Sequence, residues 1–158
     1  MEEVGKSCTK YPIIIMESTV SDNTLQSRVK IIKRKLIEDD RGWFLKAITG
    51  TEDNLPNHTG EVYLTMGKPS QSKGGHYHPN AIEWFTIVCG DALLILEDVV
   101  THERLEIEMS LKKAITVFVP NNVAHVVKNI GNTDFLLLAY TDLLYDPKDT
   151  IPYKIKDI

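Results

Sequence analysis

Three histidines and one glutamate carry the most specific chemistry in this sequence. His76 and His78 form a His-x-His pair, Glu83 follows five residues after it, and His125 stands far downstream. Three imidazole nitrogens and one carboxylate are the ligand set of a mononuclear metal site. Such donors suit zinc, iron, manganese, nickel or cobalt alike, and they leave one or two positions for water or substrate. We therefore predict a divalent metal ion that these donors do not by themselves select; our first expectation is zinc, with iron, manganese or nickel as alternatives.

The spacing of these residues sets conditions on the local backbone. In a strand, residues i and i+2 point to the same face, so His76 and His78 project together. Glu83 is an odd number of positions away and would face the opposite side of a continuous strand. The turn signal Pro79-Asn80 breaks the strand and resets the register, so Glu83 can enter the next strand facing inward. The same face would then carry Phe85, Ile87 and Cys89.

The elements that must position these side chains are predicted as β-strands almost throughout. Short runs of β-branched and aromatic residues are separated by Gly, Pro and Asn turns. We expect strands at 29–33, 43–48, 61–66, 84–89, 92–96, 104–109, 115–119, 124–128 and 135–140. Gly90-Asp91 separates two of these runs at hairpin spacing. The pattern predicts an all-β barrel or double-sheet jelly roll.

Length and composition indicate one ordinary domain. The 158 residues can bury a sizeable core, so we expect a single domain over 1–158. Residues 1–27 read as an N-terminal arm that could end in a short helix. Residues 143–158 read as a tail that wraps the outside of the domain or of a neighbouring subunit.

Charge and hydropathy exclude several classes of partner. The net charge is −4 and there is no long basic run, so we do not expect a nucleic-acid partner. The longest apolar stretch near the N-terminus, 13–16, is too short for a signal sequence or a membrane span. We expect a cytoplasmic protein with no membrane partner. Its two cysteines are far apart: a disulfide between them is disfavoured, and Cys89 is expected to be a buried small hydrophobe.

Two segments resemble the two motifs of the cupins, which are small β-barrels with a metal inside. Gly75-His76-Tyr77-His78, then Glu83 and a Gly after six more residues, resembles the first motif. The segment 120–129 resembles the second motif, Pro-x-Gly-x-x-His-x-x-x-Asn, with Asn122 in place of the usual Gly. Asn tolerates the left-handed backbone that Gly provides, so this departure is mild. The resemblance covers about 60–142 and implies a cupin double-stranded β-helix.

The ligand set carried over from the cupins is His76, His78, Glu83 and His125.

Flanking segments resemble proteins that act on sugar nucleotides. Asp40-Arg41-Gly42-Trp43-Phe44 is similar to an early strand of nucleotide-sugar epimerases. The stretch 61–78 looks like the cupin half of capsular-polysaccharide reductases that act on UDP-sugars. The stretch 139–147 is similar to the closing segment of dTDP-4-dehydrorhamnose 3,5-epimerases, in which a Tyr ahead of a Pro is a general acid. These resemblances imply a homodimer that acts on a 4-keto-sugar nucleotide, dTDP- or UDP-linked, in O-antigen or capsule biosynthesis.

The implied reaction is proton abstraction next to a sugar ketone, followed by return of the proton. His76 aligns with the epimerase base and Tyr145 with the acid, while Arg41 and Lys73 are candidates for the diphosphate. His76 cannot bind a metal and accept a proton through the same nitrogen. Either a metal polarises the ketone as a Lewis acid, or the site is metal-free and His76 is the base. The sugar 3,4-ketoisomerases have a Lys after their His pair and lack this Glu, and Pro79 with Glu83 favours the metal.

Two other functions remain compatible with the sequence. Three His and one Glu also serve iron-dependent dioxygenases, and a non-catalytic cupin could bind a sugar or a metal. The sequence lacks a dinucleotide-binding GxGxxG motif, so the chain is not itself predicted to be a reductase.

Overall fold

The computed structural model describes residues 24–39, 42–45, 47–49, 51–53, 55–57 and 60–156. These ranges contain one short helix, α1 (Leu25–Arg28), and twelve strands. The strands are β1 (Lys30–Lys33), β2 (Leu36–Asp39), β3 (Gly42–Leu45), β4 (Glu61–Gly67), β5 (Ser72–Tyr77), β6 (Glu83–Cys89), β7 (Asp91–Asp98), β8 (Arg104–Ser110), β9 (Ile115–Val119), β10 (Val123–Asn129), β11 (Phe135–Thr141) and β12 (Ile151–Pro152). Each run predicted as a strand overlaps one of them.

Ten of these strands form two antiparallel sheets that enclose the core. Sheet 1 has the order β1-β9-β6-β11-β4, and sheet 2 has the order β12-β5-β10-β7-β8. From β4 to β11 the chain passes repeatedly from one sheet to the other, which is the topology of a jelly roll. Strands β2 and β3 form a separate two-stranded sheet. The predicted all-β cupin fold is confirmed.

The core fills the space between the two sheets because alternate residues of each strand point inward. Sheet 1 contributes Phe85, Ile87 and Val117, and sheet 2 contributes Leu94 and Leu96, all of them buried in one cluster. The apolar filling occupies the middle of the barrel. His125 and Glu83 lie on the same inner faces and are also buried.

Two sequence predictions near Gly90 are wrong. Strands β6 and β7 belong to different sheets, so Gly90-Asp91 forms a corner between the sheets and not a hairpin. Gly90 has a φ of 75°, and a Cβ there would lie 2.6 Å from the carbonyl oxygen of Asp134. Cys89 is exposed and not buried. The register between β6 and β11 shifts beside it, and this bulge takes Cys89 out of the inward alternation.

The C-terminal tail covers the outer face of sheet 2, as the sequence predicted. Ile155 is buried there in a second apolar cluster with Ile95 and Val126, and Tyr153 packs against this cluster. The backbone N–H of Tyr153 donates to the carbonyl of Gly75, so the tail is also fixed to β5. This attachment keeps the preceding residues, 142–150, close to the end of the barrel where the histidines lie.

Helix α1 fixes the other end of the described chain to the core. The Thr24 side chain accepts a hydrogen bond from the Ser27 backbone N–H and caps the helix. Leu25 and Val29 are buried in the main core cluster. Most of the predicted arm, residues 1–23, lies outside the described residues. In the part of the chain that is described, no helix is long and apolar enough to cross a membrane.

Candidate metal centre and active-site pocket

Both sheets contribute to the predicted ligand set. His76 lies on β5 and His125 on β10, and the two are direct cross-strand partners in sheet 2. Glu83 is the first residue of β6 in sheet 1, and the break after β5 lets it face inward as predicted. His78 follows the last residue of β5. The four residues therefore meet between the sheets, at one end of the apolar core.

The three histidines form a tight cluster. One ring nitrogen from each lies within 4.8 Å of those of the other two, and the Nε2 atoms of His76 and His125 are 3.1 Å apart. Glu83 stands beside the cluster, with its Oε2 atom 3.4 Å from His125 Nε2 and 3.7 Å from His78 Nε2. All four predicted ligands are therefore brought together.

Burial keeps the imidazoles of His76 and His125 neutral. It lowers the pKa of His76 to about 4, and the nearby rings of His125 and His78 lower it further because they would repel a positive charge on His76. Burial likewise lowers the pKa of His125 to about 4, again helped by His78. Neutral imidazoles present lone pairs to a cation, as metal ligands must. A group with a pKa near 4 is, by contrast, a weak general base at neutral pH.

Burial is energetically unfavourable for Glu83, the carboxylate of the cluster. Burial raises the pKa of Glu83, against the lowering influence of the histidines and of Tyr63. The Tyr63 hydroxyl donates to Glu83 Oε1 at 2.7 Å. The other oxygen, Oε2, is buried and has no hydrogen-bond partner among the described residues. A buried carboxylate oxygen without a partner is expensive unless a cation satisfies it. Together with the neutral imidazoles, this oxygen makes the four residues fit a divalent metal ion.

Next to the cluster is an open cavity of about 330 Å³. His76, His78 and Glu83 form part of its wall, and the segment after β11 supplies another part, including Leu144 and Tyr145. The remaining charged groups in its lining are the carboxylates of Glu61, Asp146 and Asp149; none of the described residues that line it is a lysine or an arginine. The cavity is thus acidic and partly apolar, which suits sugar hydroxyls better than phosphate groups.

The predicted acid and diphosphate residues are placed very differently. Tyr145 lines the cavity and is 68% exposed, so its hydroxyl is accessible to a ligand. Lys73 is also exposed but lines a separate shallow depression with Gly75 and Tyr153 on the outer side of sheet 2. It is three positions from His76, so strand alternation turns it away from the cluster. Arg41 lies outside the described residues.

Sequence reasoning assigned no role to two residues that hold the site. Tyr63 lies in a stretch already noted for its resemblance to reductases, but nothing in that stretch indicated a bond to Glu83. Asp149 accepts hydrogen bonds from the turn between His78 and Glu83. No local pattern around Asp149 points to a contact with residues about seventy positions earlier.

The chain matches a family of polysaccharide-biosynthesis proteins. Residues 37–153 match the family described as "Polysaccharide biosynthesis C-terminal domain". The chain is 27% identical over 124 residues to the spore coat polysaccharide biosynthesis protein SpsL of Bacillus subtilis, covering 75% of this chain and 82% of that protein. It is 24% identical over 115 residues to the UDP-2-acetamido-2,6-beta-L-arabino-hexul-4-ose reductase of Pseudomonas aeruginosa, covering 73% of this chain but 29% of the reductase.

Its fold is that of the cupins that epimerise sugar nucleotides. The dTDP-6-deoxy-D-glucose-3,5-epimerase of Legionella pneumophila, solved with dTDP-4-keto-L-rhamnose, matches with a TM-score of 0.74 at 15% identity. That match covers 85% of this chain and 77% of the epimerase. The structural similarity confirms the resemblance on which the cupin prediction was based. The family match extends over about three quarters of the sequence, and the chain belongs to the polysaccharide biosynthesis C-terminal domain family.

Proposed function

We propose that this protein is a nucleotide-sugar epimerase or isomerase that acts on a 4-keto-sugar nucleotide, dTDP- or UDP-linked, in surface polysaccharide biosynthesis. The observation that carries the proposal is the His–Glu cluster, in which His125 and Glu83 are buried, beside a cavity with an accessible tyrosine. A hexose in this cavity would meet His76 on one side and Tyr145 on another. The family membership and the fold support the same class of reaction.

The reaction follows from the acidity of hydrogens next to a ketone. A base removes the proton from C3 or C5 of the sugar, the electron pair passes into an enolate, and an acid returns a proton to the other face or to another atom. Tyr145 is the candidate acid because its hydroxyl is exposed in the cavity. The acidic lining favours a pose with the sugar inside and the diphosphate at the mouth. Arg41, which lies outside the described residues, stays a predicted contact of the diphosphate.

We propose that His76, His78, Glu83 and His125 hold a divalent metal, zinc before iron, manganese or nickel. When bound there, the metal supplies Lewis-acid polarisation of the sugar ketone. The neutral imidazoles and the unpartnered oxygen of Glu83 support this form of the proposal. His76 is then a ligand, and the proton is taken by another group of the cavity wall. Asp149 already accepts hydrogen bonds from the 79–82 turn, so the candidates among the other lining carboxylates are Glu61 and Asp146. Without a metal, His76 is the base.

The test is hydrogen exchange in D2O with dTDP- and UDP-linked 4-keto-sugars, followed by NMR. We expect deuterium at C3 or C5 with the wild-type protein. His76→Ala and Tyr145→Phe should slow its uptake by roughly 10²-fold or more, as loss of acid–base groups does. Glu108→Gln is the matched control, because Glu108 is an exposed carboxylate paired with Lys113. No uptake from any of these sugars would sink the proposal.

A metal-dependent dioxygenase is the second candidate, because three histidines and a glutamate beside an open cavity also suit oxygen chemistry. Elemental analysis of the purified protein and oxygen-electrode measurements separate the two. Bound iron with substrate-dependent oxygen consumption would favour the dioxygenase. Bound zinc without oxygen consumption would favour the epimerase. A non-catalytic sugar-binding cupin would instead show ligand-induced thermal stabilisation with neither exchange nor oxygen uptake.

We further propose that the protein works in the cytoplasm as a homodimer. The outer side of β4 supports the dimer, since Val62, Leu64 and Met66 are all exposed along it. We call these three residues the β4 stripe. Among the described strands β4 is at an edge of sheet 1, so its outer hydrogen-bonding groups are also open to a partner.

A further inference from the structure

Two carboxylates hold the turn between the two halves of the ligand set: that of Asp142 accepts from the Ile82 backbone N–H at 2.8 Å, and that of Asp149 is buried. Residues 79–82 connect His78 to Glu83, and Asp149 lies against them. The Asp149 carboxylate accepts hydrogen bonds from the Asn80 backbone N–H at 2.9 Å, the Asn80 side-chain amide at 2.7 Å and the Ala81 backbone N–H at 3.0 Å. Asp149 is 8% exposed, so these bonds are shielded from water. The turn depends on Asp149 for groups that would otherwise be unsatisfied.

The backbone of the same residue orients a histidine. His78 Nδ1 lies 2.8 Å from the carbonyl oxygen of Asp149. A carbonyl only accepts, so the His78 ring carries a hydrogen on Nδ1, and the neutral form of the ring presents a bare lone pair on Nε2. That Nε2 is the atom 3.7 Å from Glu83 Oε2. Asp149 therefore acts on both sides of the turn, through its side chain on 80–81 and through its carbonyl on His78.

We propose that Asp149 is a positioning residue that fixes the tautomer and direction of the His78 ring and, through the 79–82 turn, the entry of Glu83 into the cluster. Partners of this kind commonly set the orientation of metal-binding histidines. The carboxylate anchors the segment that carries the carbonyl, so its removal should release both contacts. The inference rests on the proposed metal site for its affinity readout only, since the tautomer of His78 is defined without a metal.

The first readout is metal affinity, measured by competition with a chromogenic chelator for Zn²⁺ and Co²⁺. We expect Asp149→Ala to weaken binding by about 10- to 100-fold. Asp149→Asn should lose less metal affinity than Asp149→Ala. Its side-chain oxygen can still accept hydrogen bonds from Asn80, but its amide nitrogen cannot accept one from Ala81.

The matched control is Asp98→Asn. Asp98 is also buried, at 5% exposure, and accepts the backbone N–H groups of Val100 and Thr101 in a turn that does not line the cavity. Asp98→Asn should lower the melting temperature as the Asp149 variants do, but it should leave the metal affinity unchanged.

The second readout is ¹⁵N NMR of His78 in the metal-free protein. The wild type should show a single Nδ1–H tautomer, and Asp149→Ala should show a mixture. If the wild type binds neither metal, the metal proposal fails, and this spectrum alone then decides the role of Asp149. The inference is overturned if Asp149→Ala keeps the wild-type tautomer and loses no more metal affinity than Asp98→Asn.

Discussion

Glu83 is a buried carboxylate whose two oxygens have different neighbours. Its Oε1 atom has the Tyr63 hydroxyl as a partner, while Oε2 faces the histidines. Burial, together with the contact between Tyr63 and Glu83, raises the pKa of Tyr63, so the phenol keeps its proton and remains a donor. Tyr63 is therefore suited to orienting the carboxylate and poorly suited to giving up a proton. The exposed Tyr145 is the better candidate for the acid.

Removing the Tyr63 hydroxyl tests this division of roles. We expect Tyr63→Phe to weaken Zn²⁺ binding by roughly tenfold, because Glu83 loses the bond that fixes its orientation. The free energy of unfolding of the metal-free protein should fall by about 1–3 kcal/mol, since Glu83 Oε1 stays buried without a partner. Chelator competition and urea unfolding measure the two effects. Tyr140→Phe is the control, because the Tyr140 ring packs against Trp84 away from the cluster. Unchanged zinc affinity in Tyr63→Phe would refute the orienting role.

The site residues that could be predicted from the sequence are those that lie close together in it. His76, His78 and Glu83 lie within eight residues of one another, and the turn between them has its own sequence signal. Asn122 was expected to tolerate the left-handed backbone that Gly provides in the cupin motif, and its φ of 58° lies in that region. Tyr63 and Asp149 were missed because their contacts join segments that are far apart in the sequence, and a hydrogen bond between distant residues leaves no periodic pattern.

At the scale of elements, the error at Gly90 has the same origin. Two apolar runs with a Gly-Asp turn between them fit a hairpin, but they fit a corner between facing sheets equally well. The two arrangements differ in the strands that pair with β6 and β7. Strand β6 pairs with β9 and β11, whereas β7 pairs with β10 and β8 in the other sheet. Local spacing determines where strands end, whereas the choice of sheet is made by packing over the whole barrel.

Strand β5 shows how backbone geometry places the histidines. Its pairing with β10 shifts register next to His125, and Gly74 lies opposite this irregularity with a φ of 91°. A Cβ on Gly74 would approach the His125 carbonyl oxygen to 2.6 Å. Gly75 has a similar φ of 87°, but the nearest contact of its Cβ would be at 3.8 Å. Alanine at Gly75 would therefore introduce backbone strain alone, whereas alanine at Gly74 would introduce the same strain and a steric clash.

We expect Gly75→Ala to cost about 1–2 kcal/mol of unfolding free energy, which is the strain of a left-handed non-glycine residue. Gly74→Ala should cost about 2–5 kcal/mol, because the clash with the His125 backbone is added to the same strain. Urea unfolding of the two metal-free variants measures the difference. If the two variants lose the same free energy of unfolding, the β10 backbone at His125 moves easily away from an added methyl group. Close packing of β5 would then not hold this histidine in place.

At the scale of the whole molecule, the outer faces of the two sheets differ in how far the described chain covers them. The C-terminal tail covers the apolar outer face of sheet 2, with Ile155 buried against it. On sheet 1, the part of the chain described by the structure leaves the β4 stripe uncovered. Long apolar edge strands are prone to pairing with other chains, and a subunit interface over the β4 stripe would bury this one. This reasoning supports the homodimer that the family resemblance implies.

A charge in the middle of the β4 stripe should therefore separate the subunits. Leu64 is 62% exposed, so Leu64→Asp should leave the fold of the subunit intact. In a dimer the substitution would bury a pair of aspartates at the interface, which is unfavourable. We expect the wild type to be a dimer and Leu64→Asp a monomer in light scattering coupled to size-exclusion chromatography. Val100→Asp is the matched control, since Val100 is 79% exposed in the turn after β7 and should leave the dimer intact. A monomeric wild type, or a dimeric Leu64→Asp, would show that the β4 stripe is not a subunit interface.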